Sequence, residues 1–434
     1  MLKATETDIS WMVSVSYTGS LISLVICYSF GNKIGRRQFI FSTILVYLLS
    51  WAIIIATTSV TAIIVCMFFY GLASSILVTI GTIYFGEVAS PRNREILGVL
   101  YAVMSTFGSQ IEFLLTSLDQ YKLLVLFPLV MCIFALISWI FMVESPCYLV
   151  SVCQYEEAVK NLRWLYDSSQ EDDLGEMHDS IVKYTDERKS KESNKLKIIL
   201  YPDNFKLIVT MIVIQCAATM NCRTIVMLYG SVMMKMYSQT IDERTFVNIY
   251  SASLLLSTII GLPIMTRFSR KSLLTFGFLT TAVIQLLCAY SYHVEDCNEN
   301  ALEFLALVIV ALLIIHGFIS TSTFTPAMAV LKGEVFPYSV KEVCGAIMSL
   351  TNDCSAFMTA KFYFILASTI GLPSLFVIYT FFTGAGLISV YCNINDTKGK
   401  TLDQIRSDYM CEANGEQLYH LRNNYKIVKT QVET

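Results

Sequence analysis

Two charged turns, far apart in the chain, share one arrangement in which a base follows an acid after seven positions, with a proline between them. The first runs from Glu87 to Arg94 and the second from Glu334 to Lys341. A carboxylate and a base at close range form a charge-assisted hydrogen bond, which is lost when the two groups move apart. The pattern therefore predicts ion pairs that respond to conformation, repeated in two related halves of one chain.

Further charges at the ends of apolar runs belong to the same set, which we predict to form a latch that opens when helix ends separate. The alternative is that these charges only mark loops that stay on one side of a membrane. The latch residues are Arg36, Arg37, Glu87, Arg94 and Glu144 in the first half, and Arg270, Glu334, Lys341 and Asp396 in the second.

Composition decides the class of protein. The chain has 434 residues, of which 55% are hydrophobic and 15% charged, and its mean hydropathy is +0.57. So much apolar surface predicts a membrane protein with several spans. The net charge of −3 is too small to indicate nucleic acid as a partner. No phosphate-binding loop, catalytic triad or metal-ligand spacing occurs, so we predict neither an enzyme nor a bound cofactor or metal.

Apolar runs give the organisation, because a helix that crosses a bilayer needs about 20 mostly apolar residues. We predict eleven spans, at roughly 11–30, 38–58, 61–84, 96–116, 122–142, 206–229, 246–266, 272–291, 304–331, 343–366 and 372–392. They divide the chain into a first bundle at 1–143, a linker with short amphipathic helices at 144–205, a second bundle at 206–392 and a tail at 393–434.

The basic turns fall on one face of this arrangement, and short basic loops stay in the cytoplasm. The linker and the tail are therefore predicted to be cytoplasmic. The composition does not indicate an oligomeric state.

Four short motifs occur in the order in which one transporter family has them. They are Gly35-Arg36-Arg37, Tyr84-x-x-Glu87-x-x-x-Pro91-x-x-Arg94, Glu144-Ser145-Pro146-Cys147-Tyr148-Leu149 and Asp396-Thr397-Lys398-Gly399-Lys400-Thr401-Leu402. Through them the chain resembles, over nearly its whole length, a sugar porter of the major facilitator superfamily. The resemblance implies an all-α fold of two pseudo-symmetric bundles that carries a sugar across the bilayer, with about six helices in each half of the family fold.

Within the family the chain is most similar to facilitated trehalose and hexose carriers of the plasma membrane. The segment from Thr7 to Trp11 resembles the stretch before the family's second helix. The first helix of the family therefore has no counterpart here, and a truncated start and a true variant both remain open.

The resemblance also names candidate sugar ligands. Gln215 and Asn221 match amides of the family's seventh helix, and Asn352 matches one on its eleventh. Amides suit sugars because they both donate and accept hydrogen bonds. The alternative for each is a structural hydrogen bond between helices.

Other positions depart from the family pattern. Ala102 and Cys216 stand where the family has glutamines, and Ala329 and Asp353 where it has tryptophans. Four charges are new to the predicted spans, and such charges should pair or face water; they are Glu112, Arg223, Asp353 and Lys361. These departures leave two alternatives open, a sugar sensor or inactive relative that does not transport, and a proton-coupled symporter.

Overall fold

The computed structural model describes residues 5–31, 33–89, 91–118, 120–165, 202–237, 242–293, 299–336, 341–396 and 398. All regular secondary structure within these ranges is helical. The predicted linker is described as far as residue 165, and its remainder and most of the predicted tail lie outside the described residues.

Five long helices form the first half of the chain, and two short ones follow. The long helices are α1 (Glu6–Phe30), α2 (Arg36–Ala56), α3 (Val60–Val88), α4 (Pro91–Thr116) and α5 (Tyr121–Ile140). The short helices are α6 (Pro146–Ser151) and α7 (Tyr155–Leu165). α7 buries Ala158 and Leu162 and exposes Trp164, so the described start of the linker is amphipathic as its spacing predicts.

The second half contains α8 (Pro202–Thr219), α9 (Cys222–Tyr237), α10 (Glu243–Arg267), α11 (Arg270–His293), α12 (Glu299–Val335) and α13 (Lys341–Asn393). Two departures from continuous helix divide it further. The span predicted at 206–229 is broken between α8 and α9. α13 is interrupted at Gly371, whose φ of 79° favours glycine, and this gives two arms, 341–370 and 372–393.

Nine stretches of the described residues are long and apolar enough to cross a membrane, and together with the all-helical fold they confirm the predicted fold class. One stretch covers α8 with α9, and another covers both arms of α13. α4 is not among the nine, although its 26 residues exceed the roughly 20 that a crossing needs.

Packing follows the two halves. α3 contacts α1 and α2 in the first half, while α13 contacts α8 and α11 in the second. The halves meet along two helix pairs, α1 with α13 and α4 with α10. We call the surface between them the seam. Successive spans alternate in direction, so Arg36, Arg37 and Arg270 share one end of the molecule, which we call the basic face.

Small residues allow α1 and α3 to approach closely. A Cβ atom on Gly71 would overlap the carbonyl oxygen of Ser16, and one on Gly19 would overlap that of Phe68. Glycine at such crossings is a common device in membrane helices, because it brings two backbones into direct van der Waals contact.

We expect Gly71→Ala to lower the free energy of unfolding by about 1–3 kcal/mol, because the added methyl group forces the two backbones apart. Gly81→Ala is the matched control, since a Cβ at Gly81 of the same helix meets nothing within 4 Å. Thermal melts of both variants in detergent measure the difference. Equal melting temperatures would contradict the packing described here.

Candidate functional site

A polar cluster lies where α8 contacts α13. The Nε2 atom of Gln215 donates to Oγ1 of Thr219 at 3.0 Å and to Oδ1 of Asn352 at 3.1 Å. The Thr219 hydroxyl donates to the same Asn352 oxygen at 2.9 Å. Two of the three predicted ligands are therefore in direct contact. Gln215 is only 6% exposed, and its Oε1 atom has no partner among the described residues.

The third predicted ligand, Asn221, is placed differently. It is fully buried, and its Nδ2 atom donates to the carbonyl of Ala218 at 3.2 Å while its Oδ1 accepts the backbone N–H of Arg223 at 2.8 Å. The amide thus satisfies backbone groups at the end of α8 and the start of α9. In this structure Asn221 holds the helix break, which is the structural role of a capping residue.

Thr219 belongs to the cluster, although the sequence did not single it out. Its position four residues after Gln215 places both side chains on one helix face, which is the signal that identifies it. Cys216, which replaces a family glutamine, accepts a hydrogen bond from the hydroxyl of Ser355 at 3.3 Å. The replacement is therefore accommodated by a polar neighbour on α13.

The unexpected charges near the seam have local contacts. The amide Nδ2 of Asn352 donates to Asp353 at 3.2 Å. The guanidinium Nη1 of Arg223 lies 3.5 Å from Oγ1 of Thr321. The ammonium of Lys361 lies 3.5 Å from the ring centre of Trp11, in the other half of the chain, which is a cation–π contact.

Hydrogen bonds cross the seam at three described places. Ser10 donates to the carbonyl of Lys361 at 3.0 Å, Ser251 donates to Oε1 of Gln110 at 2.5 Å, and Asn248 donates to Ser117. These residues lie near the start of α1, near the end of α4 and near the start of α10. All three contacts therefore sit in the half of the seam away from the basic face.

At the basic face of the first half, Arg36 and Glu87 form a two-pronged ion pair. The Nε and Nη2 atoms of Arg36 donate to the two carboxylate oxygens at 3.2 and 3.1 Å, and Nη1 donates to the carbonyl of Gly31 at 2.6 Å. Ser145 donates to Glu87 at 2.5 Å. Because Arg36 is 5% exposed and Glu87 accepts from two Arg36 nitrogens and from Ser145, the pair is almost fully satisfied inside the protein.

Arg37 and Glu144 contact each other in a way that the sequence did not predict. The carboxylate of Glu144 accepts the backbone N–H of Arg37 at 3.2 and 3.3 Å rather than its guanidinium. The guanidinium lies 4.6 Å from the ring centre of Trp139, whose indole N–H donates to the Arg37 carbonyl at 3.0 Å. Gly35 leaves room for this carboxylate, because a Cβ at that position would overlap Glu144 and displace it.

The second half repeats the first ion pair. Arg270 donates to Glu334 at 3.1 Å. In both halves the arginine is the first residue of a helix, α2 or α11, and the glutamate is the last but one of the next helix, α3 or α12. The duplicated turns thus produce duplicated contacts.

The other predicted latch residues do not join these pairs in the described structure. Asp396 is exposed and accepts the backbone N–H of Lys398 at 3.3 Å. The ammonium of Lys398 donates to the carbonyl of Arg267. The side chains of Arg94 and Lys341 lie outside the described part of the chain.

Comparison with known proteins identifies the family to which this chain belongs. The family model described as "Sugar (and other) transporter" matches residues 1–409. The chain belongs to this family. The sugar-transport function and the multi-pass membrane character expected from the sequence are thereby confirmed at the level of the family, which is one of transporters with small-molecule substrates.

Individual members of the sugar transporter family align along most of this chain. The facilitated trehalose transporter Tret1 of Apis mellifera ligustica is 25% identical over 401 residues, which cover 91% of this chain and 78% of that protein. The sugar transporter ERD6-like 7 of Arabidopsis thaliana is 23% identical, with 94% and 86% covered. The inward-open xylose transporter XylE of E. coli superposes with a TM-score of 0.75 at 14% identity, covering 93% of this chain and 90% of its own, and confirms the major facilitator fold.

We expect Arg36→Gln to lower the free energy of unfolding by about 3 kcal/mol, because it leaves the largely buried Glu87 without its cation. Lys235→Gln is the control. Lys235 pairs with Glu243 at 2.9 Å but its side chain is 70% exposed, so its removal should cost below about 1 kcal/mol. Thermal melts compare the two, and an Arg36 variant as stable as the Lys235 variant would contradict a buried ion pair.

Proposed function

We propose that this sugar transporter moves trehalose or a hexose by facilitated diffusion, with its two bundles rocking about a site at the seam. The observation that carries the proposal is the cluster of Gln215, Thr219 and Asn352. Substrate sites in this architecture lie near the midplane between the halves. The cluster occupies α8 beside the break in the helix and the first arm of α13, which also contacts α1 of the other half.

The chemistry of the cluster suits a polyhydroxylated ligand. The free Oε1 of Gln215 is an acceptor for a sugar hydroxyl. The Oδ1 of Asn352 already accepts from Gln215 and Thr219, and its Nδ2 uses one of its two N–H groups on Asp353, which leaves the other as a donor for the sugar. A buried acceptor without a partner costs roughly 1–3 kcal/mol, which a bound hydroxyl would recover.

In alternating access, the contacts across the seam and the ion pairs within each half would have different roles. If the basic face is cytoplasmic, the contacts across the seam close the extracellular side, and they must break for the site to open outward. The Arg36–Glu87 and Arg270–Glu334 pairs join helices within one half. We therefore propose that these two pairs, rather than opening as the sequence analysis expects of a latch, stay closed and hold the helix ends of each bundle together as the bundle moves.

Experiment can distinguish two alternative functions, a sugar sensor and a proton-coupled symporter, from the proposed uniporter. A sensor would bind sugar without moving it, and the absence of family aromatic and amide groups at Ala102 and Ala329 favours this candidate. A proton symporter would acidify sealed vesicles together with sugar entry, and Glu112 or Asp353 would be the titrating groups. A uniporter equilibrates sugar without moving protons.

Gln215→Ala tests the proposed site. We expect the KM for the transported sugar to rise at least about tenfold, because the variant removes an amide that can contact several hydroxyls. The measurement is uptake of radiolabelled glucose and trehalose into proteoliposomes. Gln120→Ala, an exposed glutamine at the start of α5, should keep the KM of the unmodified chain.

Uptake equal to that of empty liposomes, by folded protein that still binds sugar, would establish the sensor instead. A Gln215 variant with unchanged KM would remove the cluster from the binding site.

A double-mutant cycle on Lys361 and Trp11 tests whether the two halves meet at the seam as described. We expect Lys361→Met and Trp11→Leu to show a coupling free energy of about 1 kcal/mol in a double-mutant cycle, because the cation lies over the ring. The coupling free energy is obtained from the free energies of unfolding, measured by thermal melts, of the unmodified chain, the two single variants and the double variant. Additive effects would mean that the two side chains do not interact in solution.

A further inference from the structure

Arg223 is a cation inside a predicted membrane span that the described chain leaves without an acid. Its guanidinium contact is the Thr321 hydroxyl at 3.5 Å, at the limit of a hydrogen bond. Glu112 and Asp353, the acids within the spans predicted from the sequence, form no ion pair with it among the described contacts. A charge at this depth is costly unless it pairs or faces a wet cavity, and such residues mark substrate pathways.

The backbone around Arg223 is fixed in place. Its N–H donates to the side chain of Asn221, and its carbonyl accepts from the hydroxyl of Tyr250 at 3.4 Å. Tyr250 in turn packs so tightly against Gly317 that a Cβ there would approach its ring to 2.6 Å. The backbone from which the Arg223 side chain extends is therefore held in place, which suits a residue of a binding site.

The local field around this residue favours an anion. Arg223 is the second residue of α9, which begins inside the membrane at the helix break, and the first turn of α9 contains no acid. The N-terminus of a helix carries partial positive charge. In broken transporter helices such half-helix N-termini point at anionic substrate groups.

The remaining charges of this region do not cancel that field. Asp353 interacts electrostatically with Lys332 and accepts a hydrogen bond from Asn352. Tyr17 of α1, across the seam, interacts with both Asp353 and Arg223, so the two charges are near the surface between the bundles. Arg223, Lys332 and Asp353 together carry one net positive charge.

We propose that Arg223 binds an acidic group of the cargo, so that this transporter prefers an anionic sugar derivative to a neutral sugar. The inference rests on the proposed transport function and refines its substrate. Gln215 and Asn352 would hold hydroxyls, while the guanidinium takes the carboxylate or phosphate in the two-pronged geometry that arginine favours.

The test is uptake by the full chain in proteoliposomes of radiolabelled glucose, glucuronate and glucose 6-phosphate. We expect kcat/KM for at least one anion to exceed that for glucose about tenfold or more, and the two anions distinguish a carboxylate from a phosphate ligand. Arg223→Gln should lower the ratio of anion to glucose uptake by about tenfold or more, and Arg223→Lys by less. Arg163→Gln, an exposed arginine of α7, should leave the ratio unchanged.

Faster uptake of glucose than of both anions by the unmodified chain would overturn the inference and leave the proposed sugar transport intact. An anion preference that persists in Arg223→Gln would also overturn it. Absence of saturable uptake of all three probes by inserted, folded protein would overturn the transport proposal itself. If Arg223→Gln does not fold, inhibition of glucose uptake by the anions decides: inhibition at lower concentrations than unlabelled glucose supports the inference, and weaker inhibition contradicts it.

Discussion

The cost of placing a charge or a polar group in a bilayer governs this structure. Water cannot solvate such groups in the hydrocarbon region, so each needs a partner within the protein or a wet cavity. The charged residues at helix ends meet this demand inside one bundle, as Arg36 does with Glu87 and Gly31. Lys361 meets it between the bundles, with its ammonium over the ring of Trp11. Several buried polar atoms lack a partner among the described residues, and of these the Gln215 oxygen belongs to the proposed sugar site. The Arg223 guanidinium lies at the limit of hydrogen-bond distance from the Thr321 hydroxyl, and the functional proposals rest on these two groups.

Duplication explains why the ion pairs match. Both arginines open a helix and both glutamates nearly close the next one, so an internal repeat of the sequence has become a repeat of geometry. The copies have diverged in their surroundings. Glu87 receives a third donor from Ser145, whereas one carboxylate oxygen of Glu334 has no partner among the described residues. The first pair is therefore the better satisfied of the two.

Helix positions followed from the sequence because membrane spans impose length and hydropathy on consecutive residues. Matched positions in a family singled out Gln215 and Asn352, but they did not predict the contact between the two side chains. The sequence did not predict the contact partners of individual side chains. The Arg37 guanidinium stacks on Trp139 while Glu144 accepts the Arg37 backbone N–H, and Asn221 caps a helix break instead of joining the cluster. The Arg37 outcome depends on how helices distant in sequence pack, and spacing along one chain does not contain that information. The Asn221 outcome depends on the local break between α8 and α9, which the continuous apolar run of this span does not reveal.

The contacts across the seam are weaker than the ion pairs within each half, which is what bundles that rock as rigid units require. Contacts across the described seam include hydrogen bonds of hydroxyls and amides and one cation–π pair, each worth on the order of 1 kcal/mol net. Separating a largely buried arginine from its carboxylate costs several times more, because both charges lose their partners in a medium that cannot replace them. A conformational change that breaks the seam contacts while keeping the ion pairs therefore costs less than one that does the reverse. In the proposed rocking motion, the halves would part at the seam while each stays internally joined at its basic face.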